Sequence, residues 1–346
     1  MNKNGLIVGR FSPTHLGHLH LINESSKYCE NLHVMVCYKE NESDGKFRYE
    51  SLRYIYHNNP NIIIYDVKHD FPNYPSESYS KEEFYYIWCE FINDLIPNLD
   101  VVFSAADYGE EFSKYLNIKH ILIGDGNFDS SGVCRKIPIS GTDIRENPFK
   151  HWEYIPDIVK QHFIKKIVIT GSESSGKTTI SKLLSKHYFT NYSTTDEMVR
   201  EYYDKYKFIK NSRDNNEFNL IDISNISSNQ IMLEDKEIIK SNKLFIYDTD
   251  LITTQIWSEL YFGECPKWII DESYRRQGDL YFLMDIDFDW VDDGTREFPD
   301  KRKWFFERTK KELEKRKLNY YIISGSIEER LNKCIGIIDF FICNIS

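Results

Sequence analysis

The sequence predicts an α/β protein with two parallel sheets in series. Three observations lead there. The chain has 346 residues, about twice a common domain size. Short apolar runs alternate with helix-like segments in both halves, as in sheets whose strands are joined by crossover helices. In two places an apolar run breaks into a glycine-containing loop and then a helical pattern. Hydrophobic residues make up 41% and charged residues 28% of the chain, a balance that builds packed cores and is unlike a disordered chain. Acidic side chains outnumber basic ones by 54 to 44, a net charge of −10. That excess speaks against a nucleic-acid binder working through one basic face, so an anionic substrate must be met by local positive groups.

In the first half, Leu6-Ile7-Val8, Leu32 to Cys37, Ile62 to Tyr65, Val101-Val102-Phe103 and His120 to Ile123 read as strands. A second series starts at Lys166 to Thr170 and continues with Leu244 to Tyr247, Leu280 to Met284 and Tyr320 to Ile323. Between them, Asn147 to Pro156 carries two prolines and three aromatics and reads as an ordered connector. The predicted domains are residues 1–162 and 163–346. Asn211 to Asn229, rich in Asn, Ser and Asp, reads as a solvated loop. Lys301 to Lys317 reads as a charged amphipathic helix.

The seven cysteines are odd in number and form no CxxC pair, so neither a zinc knuckle nor a full disulfide framework is expected. No run reaches the roughly 18 apolar residues of a membrane span. Met1 to Asn4 runs straight into Gly5-Leu6-Ile7-Val8, leaving no room for a signal peptide. The expectation is a cytoplasmic protein without membrane or nucleic-acid partners. Homo-oligomerisation is left open.

The first strand runs into Gly9-Arg10-Phe11-Ser12-Pro13-Thr14-His15-Leu16-Gly17-His18 before a helical pattern begins. Ligands of open α/β sheets sit beside the carboxyl ends of strands, and a following helix N-terminus offers N–H groups to phosphate. Gly17 admits a close backbone approach, and His15 and His18 can direct imidazole donors at a triphosphate. Either histidine alone would also suit a polar residue at a helix start. Ile139-Ser140-Gly141-Thr142-Asp143-Ile144-Arg145 places capping hydroxyls before a helix and an arginine one turn inside it, a second anion-collecting end.

The second series opens with Gly171-Ser172-Glu173-Ser174-Ser175-Gly176-Lys177-Thr178-Thr179 between strand and helix, the G-x-x-x-x-G-K-[ST] phosphate-binding loop in its required context. Its backbone N–H groups surround a β-phosphate, Lys177 reaches β- and γ-oxygens, and the Thr178 hydroxyl ligates magnesium. The strand Lys243 to Tyr247 ends in Asp248-Thr249-Asp250. One of these carboxylates can hold Mg²⁺ and the other accept a hydroxyl proton. The alternative is that both cap the helix starting near Leu251.

The pair GxFxPxHxGH and ISGTxIR resembles the nucleotidyltransferase superfamily. With Glu146-Asn147-Pro148-Phe149, Trp152 to Pro156, Arg200-Glu201-Tyr202, Asp248 to Gln255 and Trp290 to Arg296, the chain is similar along nearly its whole length to the NadR-type bifunctional nicotinamide-mononucleotide adenylyltransferase/ribosylnicotinamide kinase family. The resemblance implies a Rossmann-like nucleotidyltransferase domain followed by a P-loop kinase domain. The second would phosphorylate nicotinamide riboside to the mononucleotide NMN. The first would then transfer AMP from ATP to NMN, giving NAD and pyrophosphate, with Mg²⁺ in both steps.

By that resemblance Gly9, Arg10, Phe11, His15, Gly17, His18, Ser140, Gly141, Thr142 and Arg145 meet ATP in the first domain. Gly171, Ser174, Ser175, Gly176, Lys177, Thr178 and Thr179 meet it in the second. Arg296 and Arg302 belong to a lid, Asp248 and Asp250 serve metal and acceptor, and Glu197 or Glu201 touches the ribose. Asn73-Tyr74-Pro75 and Trp88 line the nicotinamide pocket, Trp88 as a stacking face or as plain core. Trp257 and Trp290 are walls for a flat ring or core aromatics. The extra residues around Ser76 to Glu83 and Phe128 to Val133 depart from the family outline. Two alternatives stand beside this reading. One is a nucleotidyltransferase–kinase fusion acting on another small phosphate ester. The other is an NAD-sensing regulator, which needs a DNA-reading helix-turn-helix that does not fit before Gly5.

Overall fold

A computed structural model describes residues 2–72, 74–76, 79–106, 108–124, 132–194, 218–290 and 298–343. The chain divides into two compact units, Met1–Lys160 and Gln161–Ile345. Among the described residues no helix is long and apolar enough to cross a membrane.

The first unit runs β1 (Asn2–Gly9), α1 (Leu16–Ser25), β2 (Cys29–Tyr38), α2 (Gly45–Ile55), β3 (Ile62–Lys68), α3 (Lys81–Leu95), β4 (Val101–Ser104), α4 (Tyr108–Leu116), β5 (Lys119–Leu122), α5 (Gly141–Glu146) and α6 (Asp157–Lys160). Its strands form one sheet in the order β3-β2-β1-β4-β5, every pair parallel. Alternate side chains point to opposite faces. Ile7 therefore packs with Phe11, Val34 and Val36 on one side, and Leu6 with Met35, Cys37 and Trp88 on the other. The order reverses between β1 and β4, so the crevice at their carboxyl ends lies beside the loop after β1.

The second unit runs β6 (Lys165–Thr170), α7 (Lys177–Tyr188), β7 (Tyr192–Thr194), α8 (Leu220–Ile238), β8 (Leu244–Asp248), α9 (Leu251–Phe262), α10 (Lys267–Arg275), β9 (Leu280–Met284), α11 (Arg302–Lys315), β10 (Tyr320–Ile323) and α12 (Ile327–Cys343). Its sheet order is β10-β9-β6-β8-β7, again all parallel. Buried Ile167, Ile169, Leu244, Ile246, Leu280, Phe282 and Ile323 form its core with Ile180 and Leu184 of α7.

The solvated-loop reading of Asn211 to Asn229 is corrected where the structure describes it. From Leu220 the chain is helical, started by an Asn219–Asp222 capping box and seated by Ile223 and Ile226. The polar residues that suggested a loop include the solvent face of an amphipathic helix. The strand β7 was missed because Tyr-Ser-Thr carries no apolar run.

Candidate active sites

In the first unit, α1 begins where β1 has turned outward. His15 is its N-cap, and the His15 backbone N–H donates to His18 Nδ1 at 3.3 Å. The two rings stack with centroids 3.7 Å apart. Burial lowers the His15 pKa to about 4, aided by the charge of Arg135. Burial and the neighbouring His15 also hold His18 well below its ordinary value. Both rings are therefore neutral at pH 7, each with one N–H to donate and no fixed charge to desolvate.

Ser140 caps α5 through a capping box with Asp143, accepting the Asp143 N–H at 3.1 Å and donating its own N–H at 2.8 Å. Arg145 reaches back across the sequence to donate to the Ser12 carbonyl and, at 3.0 Å, to Thr142 Oγ1. A Cβ on Gly141 would stand 2.4 Å from the Ser12 carbonyl oxygen, so only glycine lets these two loops touch. The two halves of the motif thus line one cavity of about 230 Å³, with His15, Gly17, His18, Ser140 and Gly141 on its wall.

Arg10 is exposed and paired with Glu42 at 2.9 Å. Glu42 also accepts from buried Arg48 at 2.7 Å, and Arg48 donates to the Arg10 carbonyl at 2.9 Å. Burial alone would raise the Glu42 pKa, but the hydrogen bonds from Arg10 and Arg48 hold it down to about 2. Phe11 is buried in the core at 2% exposure, so its side chain supports the loop from beneath.

Trp88 is 4% exposed, edge-on to His69 and Phe71, and donates its indole N–H to the Pro72 carbonyl at 3.0 Å. Of the two roles open to it, the structure supplies core packing: neither ring face is available for a ligand to stack on. Tyr74 and Pro75 line an open depression with Lys39 and Asp70. Sequence reasoning missed Arg135 and Lys136, which share the first cavity with the histidines. The only local signal was a basic pair five residues before Ser140 in an acidic chain.

In the second unit the loop after β6 winds through Gly171 (φ 144°), Ser174 (φ 55°) and Gly176 (φ 81°), positive angles that glycine adopts freely. Gly176 is the N-cap of α7, which opens with Lys177 and Thr178. The Lys177 ammonium donates to the Ser172 carbonyl at 2.8 Å, and the Ser175 hydroxyl donates to the same oxygen at 2.8 Å. Thr178 is half-buried and Thr179 exposed. Arg302, opening α11, donates to the carbonyls of Glu173 at 3.2 Å and Ser174 at 3.4 Å, which places it on the loop itself.

Asp248 ends β8 opposite Ile169 of β6 and is fully buried. Asp250 is the N-cap of α9. Its Oδ1 accepts the N–H groups of Ile252 and Thr253 at 3.1 and 3.3 Å, and its Oδ2 accepts the Tyr281 hydroxyl at 2.9 Å. Burial raises its pKa. This geometry matches the capping alternative, with both carboxylate oxygens of Asp250 engaged in the interior. Asp248 and the Thr178 hydroxyl are hard oxygen donors of the kind Mg²⁺ takes. Among the described residues no group of three or more His, Cys, Asp or Glu is placed to hold a metal.

Trp257 is half-buried in an aromatic cluster, its ring centre 4.6 Å from Phe305 and 6.1 Å from Phe298. The Trp290 indole N–H is buried with no hydrogen-bond partner among the described residues. Glu197, Glu201 and Arg296 lie outside the described residues, as do Asn73 and the Arg200-Glu201-Tyr202 stretch.

Residues 6–147 match the cytidylyltransferase-like family and residues 166–330 the AAA domain family. The chain is 28% identical to the trifunctional NAD biosynthesis/regulator protein NadR of Salmonella typhimurium, over 96% of this chain and 82% of that protein. It is 27% identical to the protein of the same name from Escherichia coli, with the same coverage. Two solved structures share the fold. One is NadR protein in complex with NAD and AMP-PNP, at TM-score 0.76 and 20% identity over 99% of this chain and 96% of that one. The other is NadR protein in complex with NR, at TM-score 0.72 and 22% identity over 94% of this chain and 90% of that one.

Fold and sites together define a nucleotidyltransferase-like domain followed by a P-loop domain, both built on parallel sheets. Along 96% of its length the chain is similar to the NadR proteins.

Proposed function

We propose that the protein makes NAD in two steps, its second domain phosphorylating nicotinamide riboside and its first joining the product to AMP from ATP. The observation that carries this reading is a pair of phosphate cradles in one chain. Each is built where the first strand of a parallel sheet gives way to a helix, and they occur in a chain that aligns with NadR proteins over 96% of its length.

In the first domain an oxygen of the mononucleotide phosphate attacks the α-phosphorus of ATP, and the bond to pyrophosphate breaks. No protein nucleophile is needed, so the side chains orient the reactants and offset growing negative charge. His15, His18 and Arg145 supply donors to the phosphates. Gly9, Arg10, Phe11, Gly17, Ser140, Gly141 and Thr142 shape the loop and helix ends that bring those donors together. Arg135 and Lys136 add positive charge to the cavity wall.

In the second domain the acceptor hydroxyl attacks the γ-phosphorus, and ADP leaves. The backbone from Gly171 to Gly176 holds the phosphates, Lys177 reaches them, and Arg302 steadies the loop. Thr178 and Asp248 would hold Mg²⁺, which when bound offsets phosphate charge. Asp250 keeps α9 in place. Trp257 and Trp290 are the aromatic faces offered to the nicotinamide ring.

Incubating the protein with nicotinamide riboside, ATP and Mg²⁺ should yield ADP, NMN and NAD, identified by mass. Formation of ADP with a different acceptor and none with the riboside would instead establish a kinase of another substrate class.

A further inference from the structure

Arg330 lies in α12, 155 residues beyond the phosphate-binding loop, and is fully buried. A guanidinium has five N–H donors, and here all five are used. Nε donates to the Gly325 carbonyl at 2.8 Å. One terminal nitrogen donates to the Ser175 carbonyl at 3.1 Å and to Met284 Sδ at 3.5 Å. The other donates to the Asp285 carbonyl at 3.2 Å and to the Asp287 carboxylate. Asp287 in turn accepts the Gly325 N–H at 2.7 Å. One planar cation thus ties together the loop after β6, the carboxyl end of β9 and the turn before α12.

The consequence lies in the peptide plane. In a trans peptide the carbonyl and the next N–H point in opposite directions. Arg330 fixes the Ser175 carbonyl, and Arg302 fixes those of Glu173 and Ser174. The carbonyls of Glu173, Ser174 and Ser175 each accept from an arginine, so the N–H groups of Ser174, Ser175 and Gly176 each point away from the arginine that holds the preceding carbonyl. Such a run of N–H groups is what a phosphate nest requires. We infer that Arg330 is a positioning residue for the kinase reaction, setting the Gly176 N–H toward the bound nucleoside triphosphate without touching it. The inference rests on the reading that this loop takes ATP.

The test uses the full chain with Arg330→Lys and, separately, Asp287→Ala. Lysine keeps the charge but cannot span carbonyls from three segments. Arg330→Lys should raise the KM for ATP in riboside phosphorylation about tenfold or more, with the riboside KM within about twofold and adenylyl transfer unchanged. Asp287→Ala should shift the ATP KM the same way by a smaller factor. An ATP KM within about twofold of wild type in Arg330→Lys overturns the inference. So does a parallel rise of both KM values that tracks a lowered melting temperature, since that is a purely structural effect. If Arg330→Lys does not fold, Asp287→Ala decides by the same two criteria. Wild-type protein forming no ADP with the riboside would sink the acceptor reading alone. Arg330 would then be judged by calorimetric binding of MgATP to a chain whose first site carries His18→Ala.

Discussion

His15 and His18 illustrate how a short motif becomes chemistry. Stacked and buried, the rings are kept neutral, so the site carries no pair of adjacent imidazolium charges. Gly141 does its work through what it lacks. In Gly141→Ala the new methyl would meet the Ser12 carbonyl oxygen at 2.4 Å, and overpacking of this kind costs about 1–3 kcal/mol. Adenylyl transfer should fall by roughly tenfold or more, with riboside phosphorylation unchanged in the same preparation. Equal activity would show that the two loops need not touch.

Asp250 supports a sharper expectation. If its oxygens serve Ile252, Thr253 and Tyr281, Asp250→Asn keeps a side chain able to cap α9. Kinase turnover should drop less than about tenfold. A loss of about 10²-fold or more at unchanged melting temperature would return Asp250 to proton transfer. The sequence placed both acids at the ligand edge but could not say which way either side chain turns. Trp88 was ambiguous for the same reason: its neighbours His69 and Phe71 come from a different element.

At the scale of elements, apolar runs such as Leu32 to Cys37 and Leu280 to Met284 were legible because both faces of a parallel strand are buried. The helix α8 was not, because its buried stripe is partly polar. Gln230 and Glu234 lie inside, and Gln230 Nε2 donates to Glu234 Oε1 at 2.8 Å. Burial, with the nearby Asp250 charge, raises the Glu234 pKa to about 8. Below the unfolded value near 4.5 both states hold the proton. Between that value and about 8 only the folded state does, so this group's contribution to stability is lost as pH rises through the window. Glu312, held down to about 2 by Arg308 and Arg316 against the effect of burial, acts in a separate window below 4.5. Glu234→Gln should therefore make the melting temperature of the second domain less dependent on pH between 5.5 and 8 than in wild type. The same slope in both proteins would rule out Glu234 as its source.

For the molecule as a whole, the two units carry separate sheets and separate cradles. Their order along the chain was readable because each cradle is local: strand, loop and helix start are contiguous in sequence. The supports were not readable. Arg48 and Arg330 hold the loops after β1 and β6 from 38 and 155 residues away, and no spacing rule links such distant positions.

The decisive measurement is NAD formation by Lys177→Ala, assayed in parallel from NMN with ATP and from nicotinamide riboside with ATP. Removing one preorganised charge should cut synthesis from the riboside by roughly 10²-fold or more while leaving synthesis from NMN intact. His18→Ala should abolish both routes to NAD yet still release ADP with the riboside. Loss of the NMN route in Lys177→Ala would contradict two independently working sites in one chain.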